Sequence, residues 1–108
     1  MTPRVDAWIR QANSDWAVAE LTAQQGFHSK ACCHYRQAVE KALKGMLISL
    51  GSMPPYSHAL ERLVDSLEAE ELDVTALRGL QRTCDTLAAY QRNGPLMYFV
   101  DGDGCSVV

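Results

Sequence analysis

Apolar residues recur at helical spacing in four stretches of this chain, separated by segments rich in glycine, proline or charge. The longest stretch is Ser29 to Gly51, SKACCHYRQAVEKALKGMLISLG. Within it Cys32, Tyr35, Ala38, Val39, Ala42, Met46, Leu47 and Leu50 follow i, i+3, i+4 and i+7 steps for about six turns. Strong helix formers fill most of the other positions, and neither proline nor glycine interrupts before Gly45. The pattern predicts a long central helix, against which shorter segments lay one apolar stripe each.

Three further helices are predicted. Val5 to about Gln24 carries Trp8, Ile9, Ala12, Trp16, Ala19 and Ala23 on one stripe. Gln25-Gly26 ends it, because glycine suits the left-handed position just past a helix C-terminus. Gly51-Ser52-Met53-Pro54-Pro55 is a linker that no helix interior would accept. Ser57 then stands as the N-cap of a helix from His58 to about Glu70, with Leu60, Leu63, Val64 and Leu67 inward. Asp73 can cap a fourth helix that buries Leu77, Leu80, Cys84, Leu87 and Ala88 and ends before Gly94-Pro95. Four amphipathic helices with short connections make an all-α protein, an antiparallel up-and-down four-helix bundle over residues 1–94. Residues 95–108 form a short irregular C-terminal tail, in which Asp101-Gly-Asp-Gly reads as a turn because a calcium loop would need further oxygen ligands.

Composition narrows the function classes. The chain has 108 residues, 47% apolar and 21% charged, which is one ordinary globular domain. A net charge of −3 argues against nucleic-acid binding driven by overall charge, although a local basic face stays open. No apolar run approaches the roughly 18 residues of a membrane span, and Met1–Arg10 lacks the apolar core of a signal peptide. A cytoplasmic location without a membrane partner is therefore expected. Two tryptophans on one helix and an apolar tail leave more apolar surface than four short helices cover, which predicts a homodimer.

Few residues carry candidate chemistry. Asp15 falls at the edge of the first helix's stripe; a carboxylate there is expected to reach water, the alternative being an ion pair with a cation on the central helix. Arg36, Glu40 and Lys44, at i, i+4 and i+8, can form a mixed-sign chain. His34, Gln37, Lys41 and Lys44 make a neighbouring polar stripe, expected to be solvated, with an anion-binding surface for phosphate groups as the functional alternative. His58, beside Ser57 at a helix start, is expected to hydrogen-bond toward the central helix, and it joins Arg36, Lys41 and Lys44 as a ligand-binding candidate. The cysteines at 32, 33, 84 and 105 show no metal-ligand spacing and read as small packing residues, so neither metal nor cofactor is expected.

Three pieces of the chain have a familiar form. Trp8 to Ala19, WIRQANSDWAVA, resembles the W-x-x-x-A-x-x-D-L-x-x-A opening helix of the HEPN domain family (higher eukaryotes and prokaryotes nucleotide-binding). Arg36 to Leu47, RQAVEKALKGML, is similar to that family's Q-Q-A-x-E-K-A-L-K-A-L-L signature, with Arg36 where glutamine is usual. Ser57-His58-Ala-Leu resembles its T-H-x-L. The resemblance covers about residues 5–67. It implies an all-α bundle, commonly a homodimer, with a role in nucleotide or RNA biology. Some members are metal-independent ribonucleases, often toxins; others partner a small nucleotidyltransferase in a two-gene, toxin–antitoxin-like pair; others are noncatalytic binding modules. In the ribonucleases an arginine and a polar residue are followed, four to six residues on, by a histidine. Arg92-Asn93 matches the first two positions, but Met97, Tyr98 and Phe99 stand where the histidine would fall. The expected function is therefore a noncatalytic, dimeric binding or assembly module. The alternative is a divergent ribonuclease using Arg92 and Asn93.

Overall fold

The computed structural model describes residues 3–57 and 59–93, with side chains described for residues 4–57 and 59–86. The chain forms four helices, α1 (Pro3–Gln24), α2 (His28–Ser49), α3 (Leu60–Ala69) and α4 (Thr75–Asn93). Among the described residues there is no strand, so the protein is all-α and its helices make one bundle. His58 and residues 94–108, including the expected tail, lie outside the described residues, as do the side chains of Leu87, Ala88, Arg92 and Asn93.

The ends of the two long helices follow from local backbone chemistry. After α1, Gly26 adopts φ +84°, its N–H donates to the Ala23 carbonyl at 3.1 Å, and the Phe27 N–H donates to Thr22 at 2.9 Å. After α2, Gly51 at φ +82° repeats the arrangement, with Gly51 N–H on Ile48 and Ser52 N–H on Leu47. Paired bonds of this kind satisfy the last carbonyls of a helix and reverse the chain tightly, which folds α1 back along α2. The Ser57 hydroxyl accepts the Ala59 N–H at 3.0 Å, so this residue organises the chain before α3 as expected, although α3 begins at Leu60. Asp73 Oδ1 accepts both the backbone N–H (3.0 Å) and the hydroxyl (2.6 Å) of Thr75 at the start of α4. Those two bonds hold the Asp73 carboxyl below its usual range.

The core sits between α2, α3 and α4. Val39, Leu43 and Leu47 of α2 meet Leu60, Leu63, Val64 and Leu67 of α3, with Val74 and Cys84 completing the cluster. All four expected α3 residues are fully buried. Arg78 of α4 reaches back to Asp65 and Glu68 of α3, closing that pair at its polar edge. On its other side α2 carries α1, whose backbone among the described residues lies close to α2 alone. Being covered on two sides, α2 buries more than one stripe. Leu43, absent from the expected set, is 3% exposed, and so is Ala31.

Three expected inward positions turn outward. Trp16 is 46% exposed, Leu80 41% and Leu50 44%. For Trp16 the reason is that a single partner helix covers only a narrow arc of α1; its ring still meets Tyr35 edge-on at 4.7 Å.

The α1–α2 contact is close because its residues are small. Ala12 and Ala19 are buried, and a Cβ built on Gly45 would lie 3.2 Å from Ile9 Cδ1 and 3.4 Å from Trp8 Cβ. Gly45, whose low helix propensity reads as a flaw in the central helix, is where α1 comes nearest. Gly45→Val should therefore lower stability by about 1–3 kcal/mol in urea unfolding, through overpacking against Ile9 and Trp8. Gly45→Ala should change it little, because the propensity gain of up to ~1 kcal/mol offsets a contact that the end of Ile9 can relieve. A Gly45→Val protein as stable as the parent would show that this crossing is loose.

Candidate functional site

The expected polar stripe of α2 is not a solvated face: His34, Gln37, Lys41 and Lys44 are all partly buried, and Lys41 lies in the seam with α1. Lys41 Nζ stands 2.6 Å from Asp15 Oδ2, with side chains only 25% and 17% exposed. The carboxylate expected in water is thus paired with a central-helix cation, because α1 lies close enough on α2 to bring the two charges together across the seam. The next turn holds the expected mixed-sign chain. Glu40, 5% exposed, lies 3.9 Å from Arg36 and 3.0 Å from Lys44. Both contacts are i,i+4 pairs on one helix. Burying a carboxylate costs several kcal/mol unless cations and hydrogen bonds compensate, so two flanking cations are what Glu40 requires.

This arrangement divides the ligand-binding candidates. Arg36 pairs with Glu40 on α2 itself, and Lys41 pairs with Asp15 across the seam with α1. Lys44 also pairs with Glu40, but it reaches a cleft of about 290 Å³ bounded by Arg4, Trp8, Met53, Pro54, Pro55, Tyr56 and Ser57. There its ammonium sits 5.7 Å from the centre of the Trp8 ring, a cation–π distance. His58 follows directly on Ser57 in the chain, and its own position lies outside the described residues. Sequence reasoning missed Arg4 and the Met53–Tyr56 wall. The i,i+4 spacing of Arg4 and Trp8 was the available signal: it puts a cation and an aromatic on neighbouring turns.

The cleft has a simple chemical character. Its walls are mostly apolar: an indole, two prolines and a methionine. Arg4 is exposed at its border, and Lys44 is held in the wall by Glu40. Such a site can stack or cover a flat apolar group and offer charge-assisted hydrogen bonds to an attached anion. Among the described residues of its lining, no nucleophile has a base beside it. Elsewhere, burial raises the pKa of the Cys32 and Cys84 thiols, which keeps them protonated at neutral pH and suits packing residues. Among the described residues no group of three or more His, Cys, Asp or Glu could hold a metal ion. Arg92 and Asn93 form the last turn of α4, some distance along the chain from this cleft, and their side chains lie outside the described residues.

The Asp15–Lys41 pair makes a quantitative prediction. In a double-mutant cycle with Asp15→Ala and Lys41→Ala, the coupling measured by chemical unfolding should be about 1 kcal/mol, the upper end for partly exposed pairs. Additivity to within about 0.3 kcal/mol would show that the contact contributes nothing to holding α1 on α2.

Comparison with known proteins agrees with this architecture. The family model for the HEPN domain matches residues 5–93, which takes in all the described elements from the first turn of α1 to the end of α4. No curated protein and no solved structure matches the chain. Among the described residues, no helix is long and apolar enough to cross a membrane. By its four-helix architecture and by a family match along most of its length, this chain belongs to the HEPN domain family.

Proposed function

We propose that this chain is a noncatalytic HEPN module that works as a homodimer and binds a nucleotide or RNA-derived ligand, or an assembly partner, rather than transforming it. The observation that carries this reading is the cleft at Trp8, which combines apolar walls with Arg4 and Lys44 at its edge. A base against the indole with a phosphate toward Arg4 uses both features. Histidine is also absent from the four to six positions after Arg92-Asn93, where a HEPN ribonuclease would need it. Membership of the family adds a small nucleotidyltransferase, in a toxin–antitoxin-like pair, as the partner to look for.

Calorimetry with ATP tests the ligand half of this reading. Binding should weaken as salt rises and should weaken about tenfold in Arg4→Ala, the loss of one charge-assisted contact. Arg4 is exposed, so its removal leaves the fold intact. Affinity that ignores both changes would sink the cleft as the ligand site. The second reading, a divergent ribonuclease, rests on Arg92 and Asn93 closing α4 where the family's catalytic pair stands. Incubating the purified protein with RNA in EDTA separates the two. The binding module should leave the RNA whole, whereas cleavage abolished by Arg92→Ala would make the chain an enzyme.

A further inference from the structure

The Trp8 indole borders two spaces. Beside the cleft already described lies a second, smaller recess of about 180 Å³, lined by Arg4, Ala7, Trp8 and Gln11. These four residues stand at i, i+3, i+4 and i+7, so one face of the first turns of α1 builds the recess. Arg4 and Trp8 line both spaces. Neither space alone, at about 290 and 180 Å³, reaches the ~300 Å³ at which small-molecule sites usually begin; together they enter that range. Among the described residues, no carboxylate lines either space. The acids of α1 nearest in the chain are already engaged, Asp6 with Arg10 at 3.1 Å and Asp15 with Lys41 at 2.6 Å. Glu20 stands more than two turns beyond Gln11, and Glu40 of α2 is bound to Lys44. The exposed guanidinium of Arg4 is the one cation that both spaces share.

We infer that the two spaces form one site whose ligand is a dinucleotide, with one base in each space and the linking phosphodiester on Arg4. The inference rests on the reading of the cleft as a nucleotide site and extends that ligand by one residue. An aromatic ring that borders both spaces offers each base a surface to stack on, and such stacking accepts any base. The arginine guanidinium presents a fork of N–H donors that matches the two free oxygens of a phosphodiester. Lys44 is already bound to Glu40 and is the weaker anion contact. Gln11 adds an amide that both donates to and accepts from the edge of the second base. The small side chain of Ala7 is what keeps the second space open. A mononucleotide fills only the first space and leaves half of the shared wall to water.

Calorimetry of the full chain at fixed salt, with AMP and the dinucleotide adenylyl-adenosine as probes, provides the test. The dinucleotide carries less negative charge than AMP, yet it should bind about tenfold tighter, because a second base is stacked. Ala7→Leu, which fills the second space, should bring the dinucleotide down to the affinity of AMP and leave AMP unchanged. Gln11→Ala should weaken the dinucleotide alone, and Arg4→Ala should weaken both probes. Arg4, Ala7 and Gln11 are exposed on α1, so circular dichroism should show the parent's helicity in each variant. A dinucleotide that binds no tighter than AMP, or that ignores Ala7→Leu, would overturn the two-base site. AMP binding that still weakens in Arg4→Ala would then leave the nucleotide cleft standing. If neither probe binds, the cleft reading fails and the two-base site fails with it.

Discussion

The structure depends on the need to hold α2 between two unlike neighbours. One side of this helix meets α3 and α4 through branched aliphatic side chains and forms a core of the ordinary kind. The other side meets α1 through alanine, glycine and paired charges. The second contact determines what the protein can expose. Because α1, among the described residues, lies on α2 alone, it contributes a narrow buried stripe and keeps a wide solvent face. Because the helices approach closely, Asp15 reaches Lys41 and Trp8 reaches Lys44.

The charged seam gives α2 its second role. Glu40 is too buried to stand without compensation, and the cations one turn before and after it are held in place as a result. Lysines that could have formed an open anion-binding surface are instead partly engaged with carboxylates. What remains for a ligand is the end of the seam, where Lys44 emerges beside Trp8 and the Pro54-Pro55 connection supplies a stiff wall. Binding and stability thus draw on the same residues: the packing that fixes α1 also fixes the indole that lines the cleft.

The architecture also sorts the chain's surface. Exposed bulky apolar residues include Val18 and Leu21 on the outer face of α1 and Met53 and Tyr56 in the connection after α2. Those groups mark two different surfaces, one a helix face and the other the mouth of a cleft. The first suits association with another helix, whereas the second suits a small ligand or a partner's side chain.

Much of this was legible in the chain. Helical periodicity located all four helices. Gly26 marked the end of α1, Ser57 and Asp73 marked the entries to α3 and α4, and the α3 stripe was read correctly to the residue, because each of these features is local. The motifs WIRQANSDWAVA and RQAVEKALKGML carry the resemblance to the HEPN family, which the family match over residues 5–93 bears out. Tertiary structure decided the rest. Periodicity tells which residues share a face and not how many helices cover it, so Leu43 and Glu40 were not foreseen as buried, nor Trp16 and Leu80 as exposed. Whether Asp15 met water or Lys41 depended on the distance between two helices, which residues far apart in sequence set through Gly45, Ala12 and Ala19. The cleft joins the first turns of α1 to a loop some fifty residues later, and only folding brings such groups together.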